Sequence, residues 1–274
     1  MLEPARQPAV AGRFYPGEAH RLAAEVRRCL PVAPTEPVAA RLLMVPHAGY
    51  VYSGAIAGET YARAKVPASA LVLCPNHTGL GDRRSLWGGG DWSFPGFTLG
   101  VDRDLTRRLA ATGLLHADER AHVIEHAAEV QMPFLHARRS DVKVVPICLG
   151  RLGLEECREL GAALARVIRE SEHEREPSVL LVASSDMSHY ERADLARQHD
   201  SLALERVLAL DPAGLLEVCE RERISMCGCV PTVVGLFAAR ELAASQAELV
   251  RYGNSGEVSG DFDQVVGYAG VIVS

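Results

Sequence analysis

The sequence has no run of lysine or arginine residues, and this absence limits what the protein binds. Its 29 basic and 35 acidic residues give a formal net charge of −6, and the sequence pI is about 5.9. Binding to nucleic acid or to an anionic membrane requires clustered positive charge. We therefore expect no nucleic acid and no membrane as a partner, and a small molecule as the substrate.

Long apolar stretches are also missing. No stretch approaches the roughly 20 apolar residues that span a bilayer, and the N-terminal MLEPARQPAVAGRFYPG lacks the apolar core of a secretory signal. The seven cysteines are odd in number and scattered along the chain. These features predict a cytoplasmic protein whose thiols are free in a reducing compartment.

The apolar segments alternate between the strand and helix types. With 274 residues, 48% of them hydrophobic, the chain is long enough to bury a large core, and we expect one domain over residues 1–274. Strands are predicted at ARLLMVP, SALVLCP, VKVVPICL, SVLLVAS and VVGYAGVIV, with helices between them and an extended connector at PVAPTEP. This alternation predicts an α/β fold with three layers, αβα, around a mostly parallel central sheet.

Polar residues follow three of the predicted strands at the point where each strand ends. The first strand leads to His47, the second to His77, and the fourth to the segment from Ser184 to His189. The carboxyl ends of parallel strands form the crevice in which ligands bind. One such histidine alone would be best explained as a core imidazole, but three at equivalent positions predict a site.

The segment ISMCGCVP contains the most suggestive thiols. Cys227 and Cys229 flank a glycine just before Pro231, which we expect to start a helix, and a helix N-terminus favours a thiolate. Taken alone, such a pair is more often two incidental small hydrophobic residues, because its spacing is not a known zinc pattern.

Eight ordered motifs carry a resemblance to a known family. They are AGRFYPG, VPHAGYVYSG, CPNH, EHAAEVQMPFL, VPICLG, SSDMSHY, CGCVP and YGNSGEVSGDFDQVVGYA, and they run from about residue 10 to the C-terminus. On these motifs the chain resembles the Memo-like family, protein B of the AmmeMemoRadiSam system. That family is similar in fold to the catalytic subunits of class III extradiol ring-cleaving dioxygenases, which hold one non-haem iron with two histidines and a carboxylate.

The resemblance implies a metal site. It makes His47, His77 and Cys227 the metal ligands and leaves Cys229 as a bystander. A thiolate in place of the carboxylate of the dioxygenases argues against plain ring cleavage and favours a differently tuned iron, copper or zinc. The expected cofactor is one transition-metal ion, iron(II) or copper, with zinc as the alternative.

The resemblance also implies residues around the metal. Asp186 and His189 take the position of a catalytic acid/base pair, and His126 that of a further pocket histidine. The positions of Tyr50 and Glu125 in the sequence, rather than the resemblance, add them to the expected substrate pocket: Tyr50 either lines the pocket or packs, and Glu125 either orients His126 or is a surface carboxylate. The radical-SAM and AMMECR1-like proteins of the same system are the implied partners.

Three functions follow from this site. The first is a metal-dependent redox enzyme, similar to a dioxygenase, that acts on an unknown small molecule. The second is zinc hydrolysis, in which the fourth metal position holds an activated water. The third is a non-enzymatic module that stores metal or captures a peptide.

Two further motifs in the sequence suggest other interpretations. Residues 122–126 read H-x-x-E-H, as in inverzincin peptidases, which would need a helix with both histidines on one face. We instead expect His122 to be a solvated loop or helix-start residue, and Glu125 and Glu129 to lie on a helix. The glycine-rich GLGDRRSLWGGGDWSF predicts either a mobile flap over the site or a plain surface loop.

Overall fold

The computed structural model describes residues 4–32, 36–171 and 178–274. Its strands are β1 (Leu42–Val45), β2 (Ser69–Pro75), β3 (Arg84–Leu86), β4 (Trp92–Phe94), β5 (Phe97–Leu99), β6 (His116–Ala117), β7 (Lys143–Leu149), β8 (Val179–Ser184), β9 (His189–Glu191), β10 (Ala247–Asn254) and β11 (Val265–Val273). Its α-helices are α1 (Ala19–Cys29), α2 (Tyr50–Arg63), α3 (Arg103–Ala110), α4 (Met132–Arg138), α5 (Leu154–Ser171), α6 (Ala193–Leu208), α7 (Pro212–Arg221), α8 (Cys229–Glu241) and α9 (Gly256–Ser259).

The centre of the main sheet is parallel. Across the sheet the strands follow the order β10, β11, β1, β8, β2, β7, β3 and β6, and β9 pairs with β11. β8 lies between β1 and β2 and is parallel to both, and β7 continues the parallel set on the far side of β2. The carboxyl ends of β1, β8 and β2 therefore lie side by side at one edge of the sheet.

Helices cover both faces of this sheet. Successive residues of a strand point to opposite faces, so Leu42 and Met44 join one apolar cluster while Leu43 and Val45 join the other. The first cluster is completed by α3, α5, α6, α7 and α8, and the second by α1, α2 and α4. The expected three-layer αβα fold is confirmed.

The strands that flank the parallel centre are antiparallel additions. β11 runs antiparallel to β1, β10 to β11, and β3 to β7. The sequence pattern predicted β11 but not β10, β3 or β6. Among the described residues, every helix is too short or too polar to cross a bilayer. Residues 33–35 of the predicted connector PVAPTEP lie outside the described residues.

The glycine-rich segment 79–94 is neither a flap nor a plain surface loop. It contributes β3 to the main sheet and β4 to a hairpin with β5. Leu86 and Trp92 are fully buried, and Trp87 is nearly so. Burial of these large apolar side chains holds the segment against the sheet, so both expectations for it were wrong.

Close packing of α1 against α2 depends on Gly58. A Cβ atom at this position would overlap the carbonyl group of Cys29 at the end of α1. We expect Gly58→Ala to lower the free energy of unfolding by about 1–3 kcal/mol, because the helices must separate to admit the methyl group. Urea denaturation measures the change. The matched control is Gly100→Ala, whose Cβ would meet only Lys143 Cγ at 3.9 Å; equal effects of the two substitutions would contradict this explanation.

Candidate metal centre

His47 is held at the end of β1 by residues of the neighbouring strand end. Its backbone N–H donates to Asp186 Oδ1 at 2.7 Å, and the N–H of Ala48 donates to the same oxygen at 3.3 Å. Its ring Nδ1 lies 2.9 Å from Ser184 Oγ, on the last residue of β8. Because β1 and β8 are adjacent, residues at the end of β8 hold both the backbone and the ring of His47.

The contacts of Ser184 fix the tautomer of His47. Ser184 Oγ donates its proton to the carbonyl oxygen of Ala127 at 2.6 Å and accepts from Gln131 Nε2 at 2.8 Å. Gln131 is itself oriented, because its Oε1 accepts from the Tyr61 hydroxyl at 3.0 Å. With its only proton already donated, Ser184 Oγ must accept from His47 Nδ1. The lone pair of His47 is therefore on Nε2.

Glu125 orients a second histidine. Its Oε1 lies 2.9 Å from His77 Nδ1, and its Oε2 accepts from the backbone N–H of His77 at 2.7 Å. Oε1 also accepts from the N–H of Ala127 at 2.9 Å and lies 3.3 Å from His126 Nδ1. Burial is the largest single influence and raises the pKa of Glu125, but the interactions with His77, the N–H of Ala127 and His126 together outweigh it and lower the pKa to about 2. The ionised carboxylate accepts from Nδ1, so the lone pair of His77 is on Nε2.

The imidazole rings of His47, His77 and His126 lie close together, next to the residues that orient them. The ring centroid of His77 lies 5.2 Å from that of His47 and 4.7 Å from that of His126. The centroids of His47 and His126 are 5.4 Å apart. Each offers one ring nitrogen, and the three nitrogens lie within 4.8 Å of one another. Our sequence reading placed His126 in the substrate pocket, whereas the structure brings it into the same cluster as the two expected ligands.

Two of the three imidazoles, those of His47 and His126, are uncharged at neutral pH. Burial, followed by the nearby His77, lowers the pKa of His47 to about 3. Burial, followed by His47, lowers the pKa of His126 to about 4. Neutral imidazoles keep the lone pairs that metal coordination needs.

Cys227 stands beside the histidine cluster. Its Sγ lies 3.1 Å from His47 Nε2 and accepts from the N–H of Asp186 at 3.3 Å. Burial, followed by the charge of Asp186, raises the pKa of the thiol well above its ordinary value. The residue is thus a thiol until a cation adds its charge. α8 begins at Cys229, two residues before the Pro231 start that we expected.

Gly228 allows the close approach of Cys227. A Cβ atom there would overlap the carbonyl oxygen of Ser184 and the side chain of Ser185. The Gly228 N–H donates to Ser185 Oγ at 3.1 Å. The glycine between the two cysteines was therefore a usable sequence signal, because only a residue without a side chain fits against the end of β8.

The donor set fits a single transition-metal ion. Metal bonds of about 2.0–2.3 Å in a tetrahedral site separate neighbouring ligand atoms by roughly 3.3–3.6 Å. The three ring nitrogens lie within 4.8 Å of one another, close to such spacings, and the Cys227 sulfur lies 3.1 Å from one of them, His47 Nε2. Imidazole and thiolate ligands suit iron, copper and zinc.

Asp186 and His189 border the same site. The Asp186 carboxylate is buried and holds the backbone at His47, as described above, and burial raises its pKa. His189 donates from Nδ1 to the carbonyl oxygen of Ser225 at 3.0 Å, while its backbone N–H donates to Ser225 Oγ at 2.8 Å. A carbonyl only accepts, so the lone pair of His189 is on Nε2.

The structure places Tyr50 in the packed layer between α2 and α4. Its ring lies 4.8 Å from that of Phe134, and its hydroxyl donates to the carbonyl oxygen of Val130 at 2.7 Å. Only 3% of Tyr50 is exposed. It supports the turn after His47 from behind, and its one polar atom is already bonded.

The peptidase motif does not form. Residues 122–128 are not helical and Glu129 begins a short 3-10 helix, Glu129–Gln131, so the expectation of one helix bearing both Glu125 and Glu129 was wrong, and both carboxylates are buried. The expectation that His122 is solvated was also wrong. Its ring is 1% exposed and lies edge-on to Trp87 with centroids 5.7 Å apart. Burial lowers its pKa to about 3.

The buried histidines predict that stability falls in acid. His47, His122 and His126 are neutral in the folded protein down to about pH 4, whereas in the unfolded chain they take up protons below their ordinary pKa of 6.5. The free energy of unfolding should therefore decrease as the pH falls from about 6.5 to 4. Urea denaturation of chelator-treated protein at pH 7.5 and pH 5 measures this. His122→Gln should weaken the dependence, and equal stability of the unmodified protein at both pH values would refute it.

Known proteins of similar sequence share almost the whole chain. The family model described as Memo-like protein matches residues 6–272. A MEMO1 family protein of Methanopyrus kandleri is 37% identical over 281 aligned residues, which cover 97% of this chain and 98% of the relative. A MEMO1 family protein of Methanosarcina barkeri is 40% identical over 98% of this chain and 99% of its own length. One from Aquifex aeolicus is 38% identical over 97% and 98%.

Proposed function

We propose that this chain, which belongs to the Memo-like protein family, binds one transition-metal ion and uses it in redox chemistry on a small molecule. The ligands in this proposal are Nε2 of His47, His77 and His126, with Cys227 as the fourth donor. The observation that carries it is the cluster of three imidazoles, whose ring nitrogens lie within 4.8 Å of one another. A hydrogen bond fixes the tautomer of His47 and of His77, as ligating histidines require.

Iron(II) and copper are the proposed ions. When bound, such an ion supplies one-electron chemistry that the side chains themselves lack. Three neutral imidazoles leave the charge of the ion largely uncompensated, and the Cys227 thiolate would offset one positive charge. The N–H of Asp186, which points at Sγ, stabilises the thiolate form.

His189 and Asp186 are the proposed proton-handling pair. The bond from Nδ1 to Ser225 fixes the His189 ring and leaves Nε2 free to accept a proton. Burial raises the pKa of Asp186, whereas the hydrogen bond from the His47 N–H and a positive charge on His189 act to lower it. A proton taken up at His189 Nε2 would place a positive charge that interacts with the Asp186 carboxylate, the arrangement of a positioned acid/base pair.

Zinc hydrolysis is the second candidate, favoured by the thiolate donor. Zinc binds imidazole and thiolate ligands, and catalytic zinc sites keep one position open for water. In that case His189 would take a proton from the water. Elemental analysis of protein purified without oxygen separates the two candidates, since stoichiometric zinc without iron or copper would favour hydrolysis.

Single substitutions test the ligand set. We expect His47→Ala, His77→Ala and His126→Ala each to reduce bound metal to about a tenth or less, because loss of one of the few ligands removes much of the affinity. Cys227→Ser should weaken copper(I) binding far more than iron(II) binding, because a hydroxyl is a poor soft ligand. Metal content by mass spectrometry and competition titration measure both effects.

Matched controls are available for each residue type. His20→Ala changes a histidine whose side chain is 78% exposed, and Cys229→Ser changes the thiol that packs against the helical core. Both should keep full metal content. The ligand set is wrong if His126→Ala retains the metal, and the Cys227 assignment is wrong if Cys229→Ser rather than Cys227→Ser loses copper(I).

Replacement of His189 tests the proton step. His189→Gln should keep the metal but lower turnover by roughly 100-fold or more, which is the range lost with a positioned acid/base. Oxygen consumption with a substrate accepted by the unmodified protein measures turnover, and elemental analysis measures the metal. His199→Gln, which alters a partly buried histidine paired with Glu191, is the control. Loss of metal together with turnover would make His189 a ligand instead.

A further inference from the structure

The N-terminal segment reaches the metal centre through Arg6. Its side chain is only 2% exposed, and its guanidinium lies 4.0 Å from the ring centroid of Trp92. Nε donates to the carbonyl oxygen of His122 at 2.9 Å, and Nη2 donates to that of Glu125 at 2.8 Å. One planar group therefore holds both ends of the segment 122–125.

The charge of Arg6 is balanced by Glu129, which is fully buried. Arg6 Nη1 donates to Glu129 Oε2 at 2.6 Å, and the N–H of Ala9 donates to the same oxygen at 2.8 Å. Oε1 accepts from the N–H of Val10 at 3.0 Å and from the hydroxyl of Tyr15 at 2.6 Å. A buried ion pair persists only when its remaining hydrogen-bonding capacity is satisfied, and here both carboxylate oxygens have two donors.

The segment that Arg6 holds bears the groups that orient two histidines. Residues 122–128 contain no α-helix or strand, so hydrogen bonds from outside the segment, such as those of Arg6, add to its few internal ones in fixing the direction of the backbone. Arg6 binds the carbonyl of Glu125, whose carboxylate binds the ring and backbone of His77. His126 is the next residue along the chain. A shift of this backbone would therefore move two of the three imidazoles.

We propose that Arg6 and Glu129 form a buried clamp that positions His77 and His126 for metal binding. The proposal rests on the metal site proposed above and assigns Arg6 a positioning role, because it contacts the site only through Glu125. Arginine is required because a planar fork with five N–H groups can bind two carbonyls and a carboxylate at once. The compact ammonium group of lysine cannot reproduce this geometry.

Cobalt(II) titration provides the test, because its visible absorption spectrum reports the coordination geometry and its dissociation constant reports the affinity. We expect Arg6→Gln and Glu129→Gln to weaken cobalt(II) binding by about 10- to 100-fold, as loss of groups that orient ligands does. Their spectra should also change shape. Arg6→Lys should restore little of the affinity.

A control for stability separates positioning from general destabilisation. Leu164→Ala opens a cavity in α5, on the face of the sheet opposite α1, α2 and α4, and should lower stability while leaving the cobalt(II) spectrum and affinity unchanged. If Arg6→Gln does not fold, Tyr15→Phe removes a single hydrogen bond from Glu129 and should weaken binding by about 2- to 10-fold.

The outcomes distinguish this proposal from the proposed function. Normal cobalt(II) affinity and spectrum in Arg6→Gln, or in Tyr15→Phe where that variant is used, would overturn the clamp and leave the metal site intact. Equal spectral changes in Leu164→Ala would also overturn it, because destabilisation alone would then explain the effect. Failure of the unmodified protein to bind any of cobalt(II), zinc(II), iron(II) and copper(I) would overturn both.

Discussion

The site depends first on one buried carboxylate, that of Glu125. A carboxylate in a protein interior is tolerated only when hydrogen bonds compensate its lost hydration. Here the compensating donors are the ring and backbone of His77 and the amide of Ala127. The same bonds that keep Glu125 ionised therefore fix the direction of the imidazole. Formation of these hydrogen bonds when the loop folds therefore also orients the His77 ring.

Much of the fold and part of the site could be predicted from the sequence, for a physical reason. Buried parallel strands are continuous apolar runs, which identify β1, β2, β7 and β8 directly. Parallel strands also end at one edge of the sheet, so His47 and His77 could be expected near each other although 29 intervening residues separate them. The strands β3, β6 and β10, which flank the parallel centre, lacked this signal because they are short or mixed in polarity.

The supporting contacts could not be predicted in the same way. Arg6 and Glu129 are 123 residues apart, and neither belongs to a pattern with a regular period. The periodicity around Glu125 suggested a helix, but His122, Glu125 and Glu129 are all buried in a segment where the backbone follows the hydrogen bonds of their neighbours. Tertiary contacts outweighed local propensity there. The role of Ser184 likewise became visible only when β8 was placed beside β1.

In the proposed metal site, the proton states of His47, His126 and Cys227 would determine how many protons these groups release when an ion binds. His47 and His126 already lack a proton at neutral pH, so an arriving cation displaces none from them. The Cys227 thiol, in contrast, holds its proton because of burial. Binding of an ion by these three groups, as proposed, would release one proton, that of Cys227, into the solvent. Affinity in neutral solution would increase about tenfold for each unit of pH, and the buffer would contribute its own heat of ionisation to the measured enthalpy of binding.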